Sequence, residues 1–221
     1  NGGLPQLADV ERHLAVWLRN VTGLLGPPGP ELRGVVGLDW ESWVPVWEQN
    51  VETYLGPTQG NGSLYRSRSE QRVRAAHPTW PAAKVTAAAR AEFEAGAKEL
   101  MLRTIEEGQR AWPNAAWGFY DYPSCFGSMT GDVGSQERQP DPGSTGGPWA
   151  RVGAGCTAAV AAANTERLGW LWSAVDVLLP SPYIVSTDPS FNAQWMRAIL
   201  GESIRLRTLA APARQRSARP P

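Results

Sequence analysis

The chain has only two cysteines and two histidines in 221 residues. Cys125 and Cys156 stand 31 positions apart and His13 and His77 further still. No Cys/His spacing matches a zinc ligand set, so no metal and no cofactor is expected. Net charge is missing too: 21 basic residues balance 21 acidic ones. No bulk field then draws the chain to nucleic acid. No apolar run reaches the roughly eighteen residues of a membrane span. The chain does not open on a signal peptide; Asn1-Gly2-Gly3-Leu4-Pro5 reads as the interior of something rather than a start.

Tryptophan is abundant, with 11 residues. An indole covers the C–H face of a sugar ring, and it also fills a core, so an excess of Trp fits either use. Asn20-Val21-Thr22 and Asn61-Gly62-Ser63 are sequons. With an even cysteine count they fit an oxidising, secretory location with Asn20 and Asn61 glycosylated.

The stretch Gly34 to Trp47 organises the rest. Its first half is a short apolar run with β-branched residues, the pattern of a strand buried on both faces. At its end stand Asp39 and Glu41 among Trp40, Trp43 and Trp47. Strand alternation would put both acids on one side. Two acids beside indoles suggest one kept neutral and one ionised. Acids after a strand also serve as helix caps and turn formers.

Around it, apolar spacing predicts helices over 9–25, 64–76, 82–110, 157–177 and 188–209. Thr79 would cap the third of these, with Pro81 in its first turn. The stripe Val85, Ala89, Phe93, Ala97, Leu100, Met101 and Ile105 reads as core. Residues 47–62 read as helix and then exposed loop. Further strands are expected at 115–122, with Tyr120 and Tyr122 on one face and Asp121 on the other, and at 180–185. Segment 126–155 is rich in Gly, Ser and Pro and reads as an inserted loop. If Cys125 and Cys156 pair, they close it. The Arg/Pro/Ala tail 210–221 reads as disordered. Alternating strands and helices imply an α/β fold with parallel strands, and in barrels of that kind active residues sit at strand C-terminal ends. Asp39, Glu41, Tyr120 and Tyr183 would all lie there.

The ordered set of motifs resembles the animal hyaluronidases, endo-β-N-acetylhexosaminidases of venom, sperm and lysosomes. The segments are Gly2-Gly3-Leu4-Pro5-Gln6, Leu38-Asp39-Trp40-Glu41-Ser42-Trp43, Tyr65-Arg66-Ser67-Arg68-Ser69, His77-Pro78-Thr79-Trp80-Pro81, Trp117 to Cys125, Leu168 to Trp172 and Pro180 to Tyr183. The resemblance runs from residue 2 to about residue 208. It implies a TIM-like (β/α) barrel, of which 1–209 would hold roughly strands 3 to 5, the family's first and last strands having no counterpart. A fragment, with little activity of its own, is the expectation. The resemblance also implies hydrolysis of hyaluronan, and of chondroitin as a second substrate, with Glu41 as acid, Asp39 steering the substrate's acetamido group, and Tyr120 and Tyr183 bonding it. Trp40, Trp43, Asp121 and Tyr122 would contact substrate, in a secreted or lysosomal protein. A non-catalytic carbohydrate-binding protein and a chitinase-like hydrolase are the competing readings.

Overall fold

A computed structural model describes residues 3–50, 62–125, 156–184 and 187–215. The chain separates into two compact units, residues 1–36 with 40–117, and residues 37–39 with 118–221.

In the first unit, α1 (Val10–Leu25) begins where Asp9 accepts the Arg12 N–H and ends at Gly26, whose φ of 85° only glycine adopts readily. α2 (Gly62–Ala76) and the long α3 (Ala82–Ala111) follow. The expected stripe of α3 is buried from Val85 to Ile105. Thr79 does not cap this helix: Pro81 is the N-cap, and its carbonyl accepts the Lys84 and Val85 N–H groups. The Lys84 N–H that a capping side chain would otherwise serve is taken up by the Pro81 carbonyl, so that donor is satisfied without a side-chain cap. The 3-10 turn Pro5–Leu7 lies against Gly96, where an added Cβ would come within 2.5 Å of the Gln6 backbone. Arg72–Glu92 and Arg103–Glu11 pairs link α2 and α1 to α3. Arg66 lies over the Trp47 ring, so Arg66 and Arg72 of α2 both have partners within the fold.

Trp43, Trp47, Trp112, Trp117, Trp172 and Trp195 are all buried, so core packing accounts for more than half of the tryptophans. Only a 3-10 turn, Trp47–Gln49, forms in the segment expected to start a helix, and 51–61 lie outside the described residues.

β1 (Gly34–Leu38) and β2 (Ala115–Phe119) form a parallel two-stranded sheet. β2 is buried, but β1 is not the doubly covered strand its composition suggests, since Val35 is 61% exposed. Among the described residues β1 has one ladder neighbour, and Gly34, Val35 and Gly37 are exposed. The strand expected at 180–185 does not form over 180–184, and 185 lies outside the described residues; just before it, Leu179 bridges Tyr120 in parallel and Tyr122 in antiparallel sense. Pro180 and Pro182 have no N–H to give, and Tyr183 N–H turns back to the Ser181 carbonyl, so no ladder propagates. The α/β character therefore stands, and among the described residues no closed barrel forms.

The second unit holds α4 (Ala158–Glu166), α5 (Gly169–Ala174) and α6 (Pro189–Gln215). The single helix expected over 157–177 is two. Arg167 and Leu168 N–H groups both bond the Ala163 carbonyl, closing α4 just before Gly169. α6 continues to Gln215, six residues past its expected end; 216–221 lie outside the described residues. Asn164 and Arg205 both donate to the buried Glu202. Burial pushes that carboxyl up, but the two donors outweigh it and hold it below the usual range.

Cys125 and Cys156 are bonded and pack with Trp195 and Ile199, while the loop 126–155 between them lies outside the described residues. With 31 residues of separation, replacing both by Ser should cost about 3–4 kcal/mol by the chain-entropy relation, read from urea unfolding with and without reductant. The opposite sign is expected at Gly201 in the interior of α6. An added Cβ meets nothing within 4 Å there. Gly201→Ala should raise stability by about 0.5–1 kcal/mol in the same assay, because a helical glycine loses more chain entropy than alanine.

Candidate functional site

Two groups of side chains follow the ends of the strands, one in each unit. In the second unit, Tyr120 comes directly after β2 and its N–H donates to the Leu38 carbonyl at 2.9 Å. That bond places Tyr120 opposite the last residue of β1, with Asp39 next in the chain. The hydroxyls of Tyr120 and Tyr183 are hydrogen-bonded to each other. Tyr183 is 54% exposed and Asp39 is exposed, so this pair of phenols and this carboxylate face solvent. Burial raises the Tyr120 hydroxyl above its ordinary pKa, Ser181 works against that, and Tyr183 and Asp121 add to it. The net result keeps Tyr120 protonated and able to donate through the neutral range.

Asp121 breaks the alternation expected of this segment. Its φ of 62° is in the left-handed region, which Asp tolerates better than most residues. Tyr120 and Tyr122 therefore do not share a face. Tyr122 is buried, its hydroxyl has no hydrogen-bond partner among the described residues, and burial followed by the Asp121 charge pushes its pKa up. As placed, Tyr122 packs edge-on against Phe119 rather than presenting a surface to a ligand.

Glu41 and its indoles belong to the first unit. Glu41 is exposed, and it lies beyond the end of β1, so strand alternation does not fix its direction relative to Asp39. Trp40 is half-buried, 5.0 Å from the Trp43 ring. Trp43 is buried against Phe93 of α3 at 5.9 Å and so supports Trp40 from below. The segment after Glu41 is pinned. Asn50 accepts the Val44 N–H and donates to the Val44 and Val46 carbonyls, while Trp47 N–H donates to Glu94.

Sequence reasoning missed these pins and also His13, whose ring lies edge-on to Trp40 at 6.1 Å. The available signal was weak: a polar residue beside the apolar stripe of α1. Asn20 is exposed on α1, as a glycan acceptor must be; Asn61 lies outside the described residues. Among the described residues no cluster of three metal-ligating side chains occurs, and no helix is long and apolar enough to cross a membrane.

The family profile described as hyaluronidase matches residues 1–220. Hyaluronidase-1 of Bos taurus is 36% identical over 183 residues, which is 83% of this chain and 34% of that protein. A chondroitin hydrolase of Caenorhabditis elegans is 28% identical over 215 residues, 96% of this chain and 40% of that protein. The crystal structure of bee venom hyaluronidase in complex with a hyaluronic acid tetramer superposes with a TM-score of 0.73 at 28% identity, covering 93% of this chain and 55% of that one. The chain thus spans about a third of the length of the Bos taurus relative.

Proposed function

This chain belongs to the hyaluronidase family, and we propose that it carries the catalytic segment of a glycoside hydrolase cleaving internal β-1,4 N-acetylhexosaminide bonds of hyaluronan, with chondroitin as a second substrate. Glu41 protonates the glycosidic oxygen as the bond to C1 breaks. The nucleophile is the substrate's own acetamido carbonyl oxygen, which attacks C1 from the opposite face, so no second enzyme carboxylate forms a covalent bond. Asp39 orients the acetamido N–H and balances the positive charge that develops on the oxazolinium-like intermediate. Tyr120 and Tyr183 donate to and align the acetamido group. Water then attacks C1, Glu41 takes its proton, and the anomeric configuration is retained.

The observation that carries this reading is the Tyr120–Tyr183 hydroxyl pair beyond β2, with the Leu38–Tyr120 backbone bond setting Asp39 at the same strand end. Two hydrogen-bonded phenols at the strand end that carries Asp39 suit a polar, uncharged group such as an acetamide. The disulfide and the exposed Asn20 sequon support a secreted or lysosomal setting.

The exposure of Asp39 and Glu41 favours one further reading, a carbohydrate-binding protein without turnover. Reducing-end release by a full-length protein that carries this segment separates the two, measured on hyaluronan with chondroitin and chitin alongside. Release from hyaluronan, with products of retained configuration by NMR, supports hydrolysis. Binding of hyaluronan oligosaccharides with no release supports the binding protein, and preferential release from chitin overturns the substrate assignment.

A further inference from the structure

His13 sits on α1, but its contacts lead to the segment that carries Glu41. Its Nε2 lies 3.0 Å from Thr104 Oγ1, and the same hydroxyl donates its only proton to the Leu100 carbonyl at 2.7 Å. Thr104 must therefore accept from His13, which assigns the proton to Nε2. Half-burial holds the imidazole below its ordinary pKa, so Nδ1 is bare at neutral pH. The ring is thus neutral and anchored, with one orientation fixed by a helix it does not belong to.

That ring meets the Trp40 indole nearly perpendicular, at an interplanar angle of 71°. On its other side Trp40 meets Trp43, which rests on Phe93. Phe93 and Thr104 are eleven residues apart on α3, about three turns, so they share one face of the helix. Trp40 is therefore held between two supports from one helix. Among the described residues its buried indole N–H has no hydrogen-bond partner. Ring contacts alone set its orientation, and the next residue is Glu41.

We propose that His13 is a positioning residue for Glu41: its imidazole edge fixes the Trp40 indole, and Trp40 fixes the backbone from which Glu41 projects. The catalytic part of this inference rests on the reading of Glu41 as the acid.

Two replacements separate the ring from the hydrogen bond. His13→Gln keeps an N–H for Thr104 and loses the ring. His13→Phe keeps an aromatic edge for Trp40 and loses the bond. In 15N-labelled protein, the Trp40 indole resonance, assigned through Trp40→Phe, and the Glu41 amide should shift in His13→Gln and stay near wild type in His13→Phe. With hyaluronan, His13→Gln should lower kcat about tenfold with KM unchanged, and His13→Phe should restore it. A clip that only ties α1 to α3 gives the reverse order, with Gln restoring and Phe failing, and overturns the proposal. So do resonances that move in neither variant, and a wild-type kcat in His13→Gln where Glu41→Gln is inactive. If the chain shows no turnover of its own, as expected of part of a longer hyaluronidase, the two resonances alone decide the matter, and resonances that move in neither variant overturn the positioning role of His13.

Discussion

Glu41→Gln should cut hyaluronan at least about a hundredfold more slowly than wild type while binding hyaluronan oligosaccharides with nearly unchanged affinity. Gln matches the shape of a protonated Glu and keeps its polar contacts to a bound sugar, but it has no acidic proton to give to the departing oxygen. The interaction lost is one made only as the bond breaks, so kcat falls and KM does not. Asp39→Asn tests a different part of the mechanism. It leaves proton delivery intact and removes the anion that would balance the oxazolinium-like charge, so its loss belongs to formation of the intermediate. An activated substrate separates the two. A sugar whose leaving group needs no protonation should restore the bond-breaking step in Glu41→Gln, read as a burst of released leaving group, and should not restore it in Asp39→Asn. Initial rates on the natural and activated substrates, with oligosaccharide affinity from calorimetry, are the measurements. Equal rates for Glu41→Gln and wild type on hyaluronan would remove Glu41 from the acid role.

What the sequence makes legible follows from the range of the forces involved. α3 is readable because its core stripe repeats with the helical period over 30 residues, and each position contributes the same local signal. The cysteine bridge is readable in outline because only two cysteines exist. β1 misleads because a Val- and Gly-rich run encodes apolarity, whereas burial depends on what the rest of the chain lays over it; Val35 is exposed despite its type. The break between α4 and α5 depends on Ala163 accepting twice, a backbone event with no marker except the glycine two residues past it. Asp121 is harder still. Its left-handed backbone sends Tyr120 and Tyr122 to different environments, and a side chain that tolerates such a conformation does not announce it.

The candidate site shows the same division. Asp39, Glu41 and Tyr120 stand out because acids and phenols at strand ends are the residue types that catalysis uses, although acids there also serve caps and turns. His13, Asn50 and Glu94 do not, because their value comes from partners distant in sequence: Thr104 for His13 and Trp47 for Glu94. Asn50 reaches back only four to six residues, yet it satisfies three backbone groups in irregular chain, where no periodicity exists to flag it. Residues that do chemistry are visible by type, and those that hold them in place are visible only by contact.

Gly118 joins both kinds of information, and Gly118→Ala should be among the most damaging small substitutions in the chain. A Cβ there would lie 2.4 Å from the Val177 carbonyl oxygen and 3.1 Å from a Val177 methyl. The carbonyl is backbone and cannot rotate away, so either β2 or residues 177–179 must move. Overpacking of this kind costs about 1–3 kcal/mol where side chains can yield, and the upper end is expected where they cannot. The displaced segment contains Leu179, which bridges Tyr120 and Tyr122, and leads to Tyr183. Separation of the Tyr120 and Tyr183 hydroxyls should follow, and with it a fall in kcat on hyaluronan at temperatures where the variant remains folded. Gly37→Ala is the control on the facing strand. Its Cβ would meet only the end of the Leu179 side chain, at 3.2 Å, which a rotamer change relieves. Urea midpoints and kcat for the two variants should therefore diverge, with Gly37→Ala near wild type in both. If Gly118→Ala unfolds at the wild-type midpoint and turns over at the wild-type rate, the approach of residue 177 to β2 does not hold Tyr183 against Tyr120.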